Sequence, residues 1–216
     1  MLMSSASETY NSYAERGINQ ERLDAILEFG GTSILDVGCG SGAYVLELAG
    51  KYQIFGVDYQ SFPTWDKMPH LFSISDATEL AWNDNTIDTI LSFETLEHLQ
   101  DPKKALKEYY RVCRKNIILT VPNCAVTPAM LQSQLIYKTW IDRTHVQFFD
   151  IESIAEVTES VGFRVIKQYH INKISLFPLI SEAFNTSGLM GKIAWKILSK
   201  RQIKDYYITS LLVAEK

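Results

Sequence analysis

Only three cysteines occur in the 216 residues, Cys39, Cys113 and Cys124, and no two are spaced Cys-x-x-Cys. An odd, scattered set argues against a disulfide framework or a thiolate metal centre and makes a reducing compartment the default. Long apolar runs are missing as well. No stretch approaches the roughly 18 residues a membrane span needs, and the first residues lack a basic segment followed by an apolar one, so the chain is expected to be cytoplasmic with no transmembrane segment. Positive charge is not in excess: 21 Lys and Arg stand against 25 Asp and Glu, a net charge of −4 that argues against a nonspecific grip on double-stranded nucleic acid. What the chain does have is apolar and aromatic residues, 46% and 12%, enough for one substantial core over 1–216 and no separate substrate domain.

The organising stretch is ILDVGCGSGAYVLELA, Ile34 to Ala49, an apolar run that enters a glycine-dense loop and leaves as a helix. Gly38, Gly40 and Gly42 lack a Cβ, so the loop can turn tightly and bring backbone N–H groups against a nucleotide-like ligand. Asp36 places a carboxylate beside the turn. The spacing Gly38, Gly40, Ala43, with Asp58 about 20 residues on, also satisfies a dinucleotide fingerprint. Asp36 at the first strand's end, the glycine at 42 and a second acidic strand end at Asp76 favour S-adenosylmethionine over NAD.

Further along, Gln53 to Asp58 reads as a second strand and Leu71 to Ser75 as a third, joined by a connection in which Pro63 and Pro69 break any helix. Ile87 to Phe93 is a fourth strand, and Asp88, at its start and away from any ligand, is assigned to structure. Asp101-Pro102 starts a helix with Ala105, Leu106, Tyr109, Tyr110 and Cys113 on one face. Ile117 to Val121 is a β-branched run suited to a strand buried on both faces. Asp150 caps a helix that buries Ile151, Ile154, Val157 and Val161 and stops at Gly162. Arg164 to Ile171 and Tyr206 to Val213 are the last two strands. Residues 8 to 29 read as an N-terminal helix ended by Gly30-Gly31.

With GVDYQ (56–60), SDATEL (75–80), IDTILSFETLEHL (87–99) and IILTVPN (117–123) in this order after the glycine loop, the chain resembles the class I S-adenosylmethionine-dependent methyltransferases over roughly residues 10 to 165. The resemblance implies a Rossmann-like, doubly wound, seven-stranded and mostly parallel α/β sheet with an antiparallel final strand pair. It implies a cofactor site of Asp36, Gly38, Cys39, Gly40, Gly42, Asp58, Tyr59, Asp76, Ala77 and Phe93, with Asp58 on the ribose hydroxyls and Asp76-Ala77 at the adenine. It also makes residues 1–30, with Tyr10 and Tyr13, a lid segment.

Glu94, Glu97 and His98 form E-x-x-E-H directly after the fourth strand, so on a helical turn they share one face. With His145 they resemble the Glu, Glu, His, His set of small-RNA 3′-terminal 2′-O-methyltransferases and the Glu, Glu, His core of ubiquinone-pathway O-methyltransferases, both of which use a divalent cation. Three readings stand: His98 and His145 as catalytic groups beside the cofactor, a divalent metal site, and a packed structural turn. The expected reaction is methyl transfer to an oxygen of a small-molecule acceptor, against an NAD-linked oxidoreductase or a noncatalytic cofactor-binding relative. Residues 175–200, rich in apolar side chains and ending in a basic tail, are expected as a helical insertion between the last two strands, either buried against the sheet edge or, among functional roles, a cap over the acceptor pocket before a dimer surface or a membrane-facing patch.

Overall fold

The computed structural model describes residues 17–176 and 206–216, with residues 178, 179, 182, 193 and 196 described singly between them. The expected lid residues Tyr10 and Tyr13 and most of the insertion over 175–200 lie outside the described residues. In order come α1 (Gln20–Phe29), β1 (Ser33–Val37), α2 (Ala43–Leu48), β2 (Gln53–Asp58), β3 (Phe72–Ile74), β4 (Ile87–Phe93), α3 (Pro102–Val112), β5 (Cys113–Pro122), α4 (Pro128–Gln132), α5 (Ile151–Glu159), β6 (Arg164–Lys173) and β7 (Tyr207–Glu215). Among the described residues, no helix is long and apolar enough to cross a membrane.

The strands form one seven-stranded sheet in the order β3-β2-β1-β4-β5-β7-β6, and only β7 runs against the rest. The chain winds outward one way through β2 and β3 and the other way through β4 and β5, so the order reverses between β1 and β4. Side chains alternate across the sheet with period two. Leu35, Val37, Ile90, Ile117 and Leu119 pack under α3 and α5, whereas Ile34, Leu91, Phe93 and Ile118 pack under α1 and α2. By the same alternation Asp36 points to the α1 and α2 side, where it is 2% exposed.

Local chemistry sets the element ends. Asp101 accepts the Lys104 N–H at 2.9 Å and caps α3, and Asp150 and Ser153 cap α5 reciprocally. Asp88, fully buried at the start of β4, accepts from the Thr32 amide and hydroxyl and from Arg114 Nε. Burial opposes its ionisation, but those hydrogen bonds outweigh it and hold the carboxyl well below the usual range, consistent with a structural role.

Several boundaries differ from the expectation. Of the helix expected over 8–29, residues 8–16 lie outside the described residues; Gly17 to Asn19 are non-helical, and Asn19 caps a helix over Gln20–Phe29. Cys113 leaves the helix face and opens β5, because pairing with Ile87 extends that strand backward. Val161 lies past the end of α5, in the turn around Gly162, whose φ is 116°. The third strand spans only Phe72–Ile74, and the connection before it is two short 3-10 turns, Pro63–Lys67 and Pro69–Leu71, each opened by its proline.

Candidate active site

In open parallel sheets a ligand crevice forms at the carboxyl ends of the strands where their order reverses. A cavity of about 310 Å³ lies there, lined by Asp36 and the glycine loop after β1, by Phe93 and Glu94 at the end of β4, and by Glu97, His98 and His145. Its volume suits a ligand of cofactor size. Arg22 of α1 closes one side, and Asn172 of β6 and Thr209 of β7 another, so the 174–206 connection leaves and rejoins the sheet beside the cavity.

The glycine loop holds three left-handed residues, Gly38 at φ 76°, Gly40 at 52° and Gly42 at 76°. Its amides are largely spent on its own geometry. Gly38 and Cys39 donate to the Val57 carbonyl, Gly42 to Cys39, and Gly40 to the Asp58 carboxylate at 2.8 Å. The expectation that these N–H groups face a ligand is therefore replaced by a rigid turn that presents Asp36 and the loop's outer surface. Burial above all, and then Asp58 nearby, pushes the Asp36 carboxyl up to about 7, with Arg22 opposing. Burial also raises the Cys39 thiol, so it is a neutral wall residue.

Of the expected cofactor residues, Asp36, Gly38, Cys39, Gly40 and Phe93 line the cavity, whereas Gly42, Asp58, Tyr59, Asp76 and Ala77 do not. Asp58 sits behind the loop and holds it. Tyr59 is 62% exposed, and Asp76 accepts the Thr78 N–H at 2.7 Å in a surface turn.

The E-x-x-E-H segment is not a helix face. Glu94 takes a left-handed φ of 53°, and only Leu96–His98 form a 3-10 turn. The two acids consequently diverge. Glu94 accepts from Arg22 Nη2 at 2.7 Å, and the same guanidinium lies 5.2 Å above the Phe93 ring. The buried Arg22 Nε has no hydrogen-bond partner among the described residues. Glu97, His98 and His145 instead gather with ligand atoms within 4.8 Å of one another.

Both imidazoles are held by the 137–145 segment. His98 Nδ1 is 3.0 Å from the Thr144 carbonyl, and His145 Nδ1 is 3.1 Å from the Thr139 carbonyl. The Thr144 carbonyl only accepts, so neutral His98 carries its proton on Nδ1 and its lone pair on Nε2, whereas His145 Nδ1 also lies 3.0 Å from the Thr139 hydroxyl, a contact that suits either tautomer. Burial lowers the His98 pKa, with the Thr144 contact opposing. His98 is therefore neutral at pH 7 and able to accept a proton. Asp142 accepts the Thr144 amide at 3.0 Å and its hydroxyl at 2.7 Å, fixing the carbonyl that fixes His98. Arg22, Thr139, Asp142 and Thr144 were not legible as site residues, since no spacing sets them apart from any polar helix or loop.

Two imidazoles and a carboxylate are a suitable donor set for Mn, Fe or Zn. Ligands held at about 2.1 Å in a tetrahedral set stand about 3.4 Å apart, so the cluster would have to contract to close on an ion. Glu94, turned to Arg22, is not part of it.

The family described as "Methyltransferase domain" matches residues 10–168. The chain is 27% identical over 196 residues to the O-methyltransferase cnsE of Penicillium expansum, covering 81% of this chain and 67% of that protein. It is 30% identical over 101 residues to ajmaline N-methyltransferase of Rauvolfia serpentina, 41% of this chain, and spans only 35% of that relative's length. Among solved structures, a SAM dependent methyltransferase from Archaeoglobus fulgidus superposes with a TM-score of 0.65 over 99% of this chain and 95% of that one, at 19% identity, a likeness of fold.

Proposed function

This chain belongs to the methyltransferase domain family of class I S-adenosylmethionine-dependent enzymes, and from that premise we propose that it transfers the methyl group of S-adenosylmethionine to an oxygen of a small-molecule acceptor, with His98 as general base. The observation that carries the proposal is one cavity lined both by Asp36 with the glycine loop and by His98, whose Nδ1 faces the Thr144 carbonyl and whose Nε2 therefore holds the lone pair, with His145 beside it.

The cofactor supplies a methyl carbon made electrophilic by a sulfonium. Asp36, Gly38, Cys39, Gly40 and Phe93 would hold it, and the buried acid Asp36 suits its cationic groups. An in-line displacement then asks the protein mainly for alignment and for removal of the acceptor's proton. His98 Nε2 would take the acceptor's hydroxyl proton, leaving the oxygen free to receive the methyl group that the cofactor would supply. The relatives include both O- and N-methyltransferases, and the case for oxygen rests on the base: a hydroxyl must lose its proton to become a good nucleophile, whereas a neutral amine already carries a free pair.

The convergence of Glu97, His98 and His145 supports a second reading, in which a divalent ion held there lowers the pKa of the acceptor hydroxyl. Calorimetry with S-adenosylhomocysteine, followed by labelled methyl transfer to hydroxyl and amine acceptors in chelated and metal-supplemented buffer, tests both. Homocysteine-product binding with transfer to hydroxyls is expected. Transfer to amines alone would overturn the oxygen assignment, and dependence on added metal would select the second reading.

A further inference from the structure

Parallel strands are usually joined by a crossover helix, but between β2 and β3 this chain has none, as Pro63 and Pro69 predict. In its place the two proline-initiated turns carry Thr64 and Trp65 back onto the glycine loop. The Trp65 indole N–H donates to the Gly40 carbonyl at 2.9 Å, and the Thr64 hydroxyl donates to the Ser41 carbonyl at 2.6 Å. Trp65 is buried and stacks flat on Phe72, ring centroids 4.9 Å apart and planes within 8°. Phe72 in turn fills the space left by two missing side chains. A Cβ on Gly42 would stand 2.4 Å from its ring and one on Gly56 2.9 Å.

The apex of the loop is thus held from both sides: Asp58 takes the Gly40 N–H, while Trp65 and Thr64 take the carbonyls of Gly40 and Ser41. A turn with three left-handed glycines has many alternative conformations, so its shape before ligand binding depends on such external fixings. Gly40 and Ser41 both line the cavity.

We infer that Trp65 and Thr64 are positioning residues for the cofactor, a clamp that replaces the missing crossover helix and presets the glycine loop in its binding shape. The inference rests on the methyltransferase reading, since it takes the ligand of the loop to be S-adenosylmethionine or its product. Trp65 and Thr64 act through the loop and not by contact with the reacting atoms. Their loss should therefore weaken binding and loosen the loop while leaving the rest of the sheet intact.

The test uses the full chain. Trp65→Phe keeps an aromatic ring for the stack on Phe72 but removes the donor, and Thr64→Val removes the hydroxyl at nearly constant shape. Each lost neutral hydrogen bond corresponds to a factor of about 2 to 12. Dissociation constants for S-adenosylhomocysteine should rise by about that factor in each variant. Amide hydrogen exchange should accelerate over residues 38–43 and stay unchanged in β4 and β5. Affinity within experimental error of wild type in both variants would overturn the clamp, as would exchange that accelerates equally across the whole sheet. Should Trp65→Phe not fold, Thr64→Val decides by the same two readouts. If the wild type itself fails to bind S-adenosylhomocysteine, the proposed function fails, and exchange over residues 38–43 still decides whether the clamp sets the loop.

Discussion

Arg22 on α1 and Glu94 at the exit of β4 form a 2.7 Å ion pair inside the cavity wall, with both side chains largely removed from solvent. The pair ties the N-terminal helix to the residue that follows the central strand. Breaking such a contact from one side leaves a charge without its counter-ion, which costs more than the pair contributes. A double-mutant cycle with Arg22→Met and Glu94→Gln should give a coupling of about 1 to 3 kcal/mol, and Arg22→Met alone should be more destabilising than the double variant. Additive effects in thermal or denaturant unfolding would show that the pair is not coupled.

Asp36 makes stability depend on pH in the less usual direction. Its carboxyl is raised from 3.8 to about 7 in the folded chain. Between those values the folded state holds a proton that the unfolded state has released, so Asp36 lowers stability as pH rises from about 4 to about 7 and has no further effect above. Asp36→Asn should therefore unfold at a higher temperature than wild type at pH 8, and the gain should shrink toward pH 4. Binding a cation should favour the charged carboxylate, so wild-type affinity for S-adenosylmethionine should fall below pH 7, with protons released on binding in that range. Calorimetry in buffers of different ionisation enthalpy measures the release, and the Asn variant should lose it.

Much of this was legible in the sequence, for reasons visible in particular residues. Gln53–Asp58 and Ile87–Phe93 appear as strands with the bounds expected, because buried parallel strands are continuous apolar runs whose ends are marked by acids or turn residues. Asp101 and Asp150 cap as expected because capping is local chemistry. The failures concern partners distant in the chain. E-x-x-E-H implied one helical face, yet Arg22, far back in sequence, captures Glu94. The hold of Asp58 on the Gly40 amide was likewise not legible, because that contact is decided by how β2 lies beside β1. The prolines at 63 and 69 announced an irregular connection, but only the fold shows where Trp65 reaches.

The His98 and His145 pair yields a pH prediction. Burial lowers the His98 pKa, so its Nε2 is a free base throughout the neutral range. The methyl-transfer rate should be flat at and above pH 7 and fall on the acid side, with a midpoint below 6.5, as the ring protonates. His98→Ala should reduce kcat by about two to four orders of magnitude with little change in cofactor affinity. Asp142→Asn should act more weakly, through the Thr144 carbonyl. A rate that falls toward alkaline pH, or a His98→Ala variant with normal turnover, would remove the general-base role.

Gly42 and Phe72 give a test of which glycines serve packing. Gly42 does not line the cavity, and its missing Cβ makes room for the Phe72 ring, whereas at Gly38, which does line it, a Cβ would meet the Thr95 hydroxyl oxygen at 2.3 Å. Both have φ 76°, so an alanine at either position carries a similar backbone penalty of roughly 1 to 2 kcal/mol. The contact penalty differs in kind. Phe72→Leu should open space over residue 42 and recover part of the stability lost in Gly42→Ala, measured as a higher midpoint for the double variant than for Gly42→Ala alone. Gly38→Ala has no such remedy at position 72, and Phe72→Leu should add to its cost, because the nearest atoms a Cβ at residue 38 would meet belong to Thr95 and not to Phe72. Equal behaviour of the two glycines in this comparison would mean that left-handed backbone strain alone, and not the packing of Phe72, explains the glycine at 42.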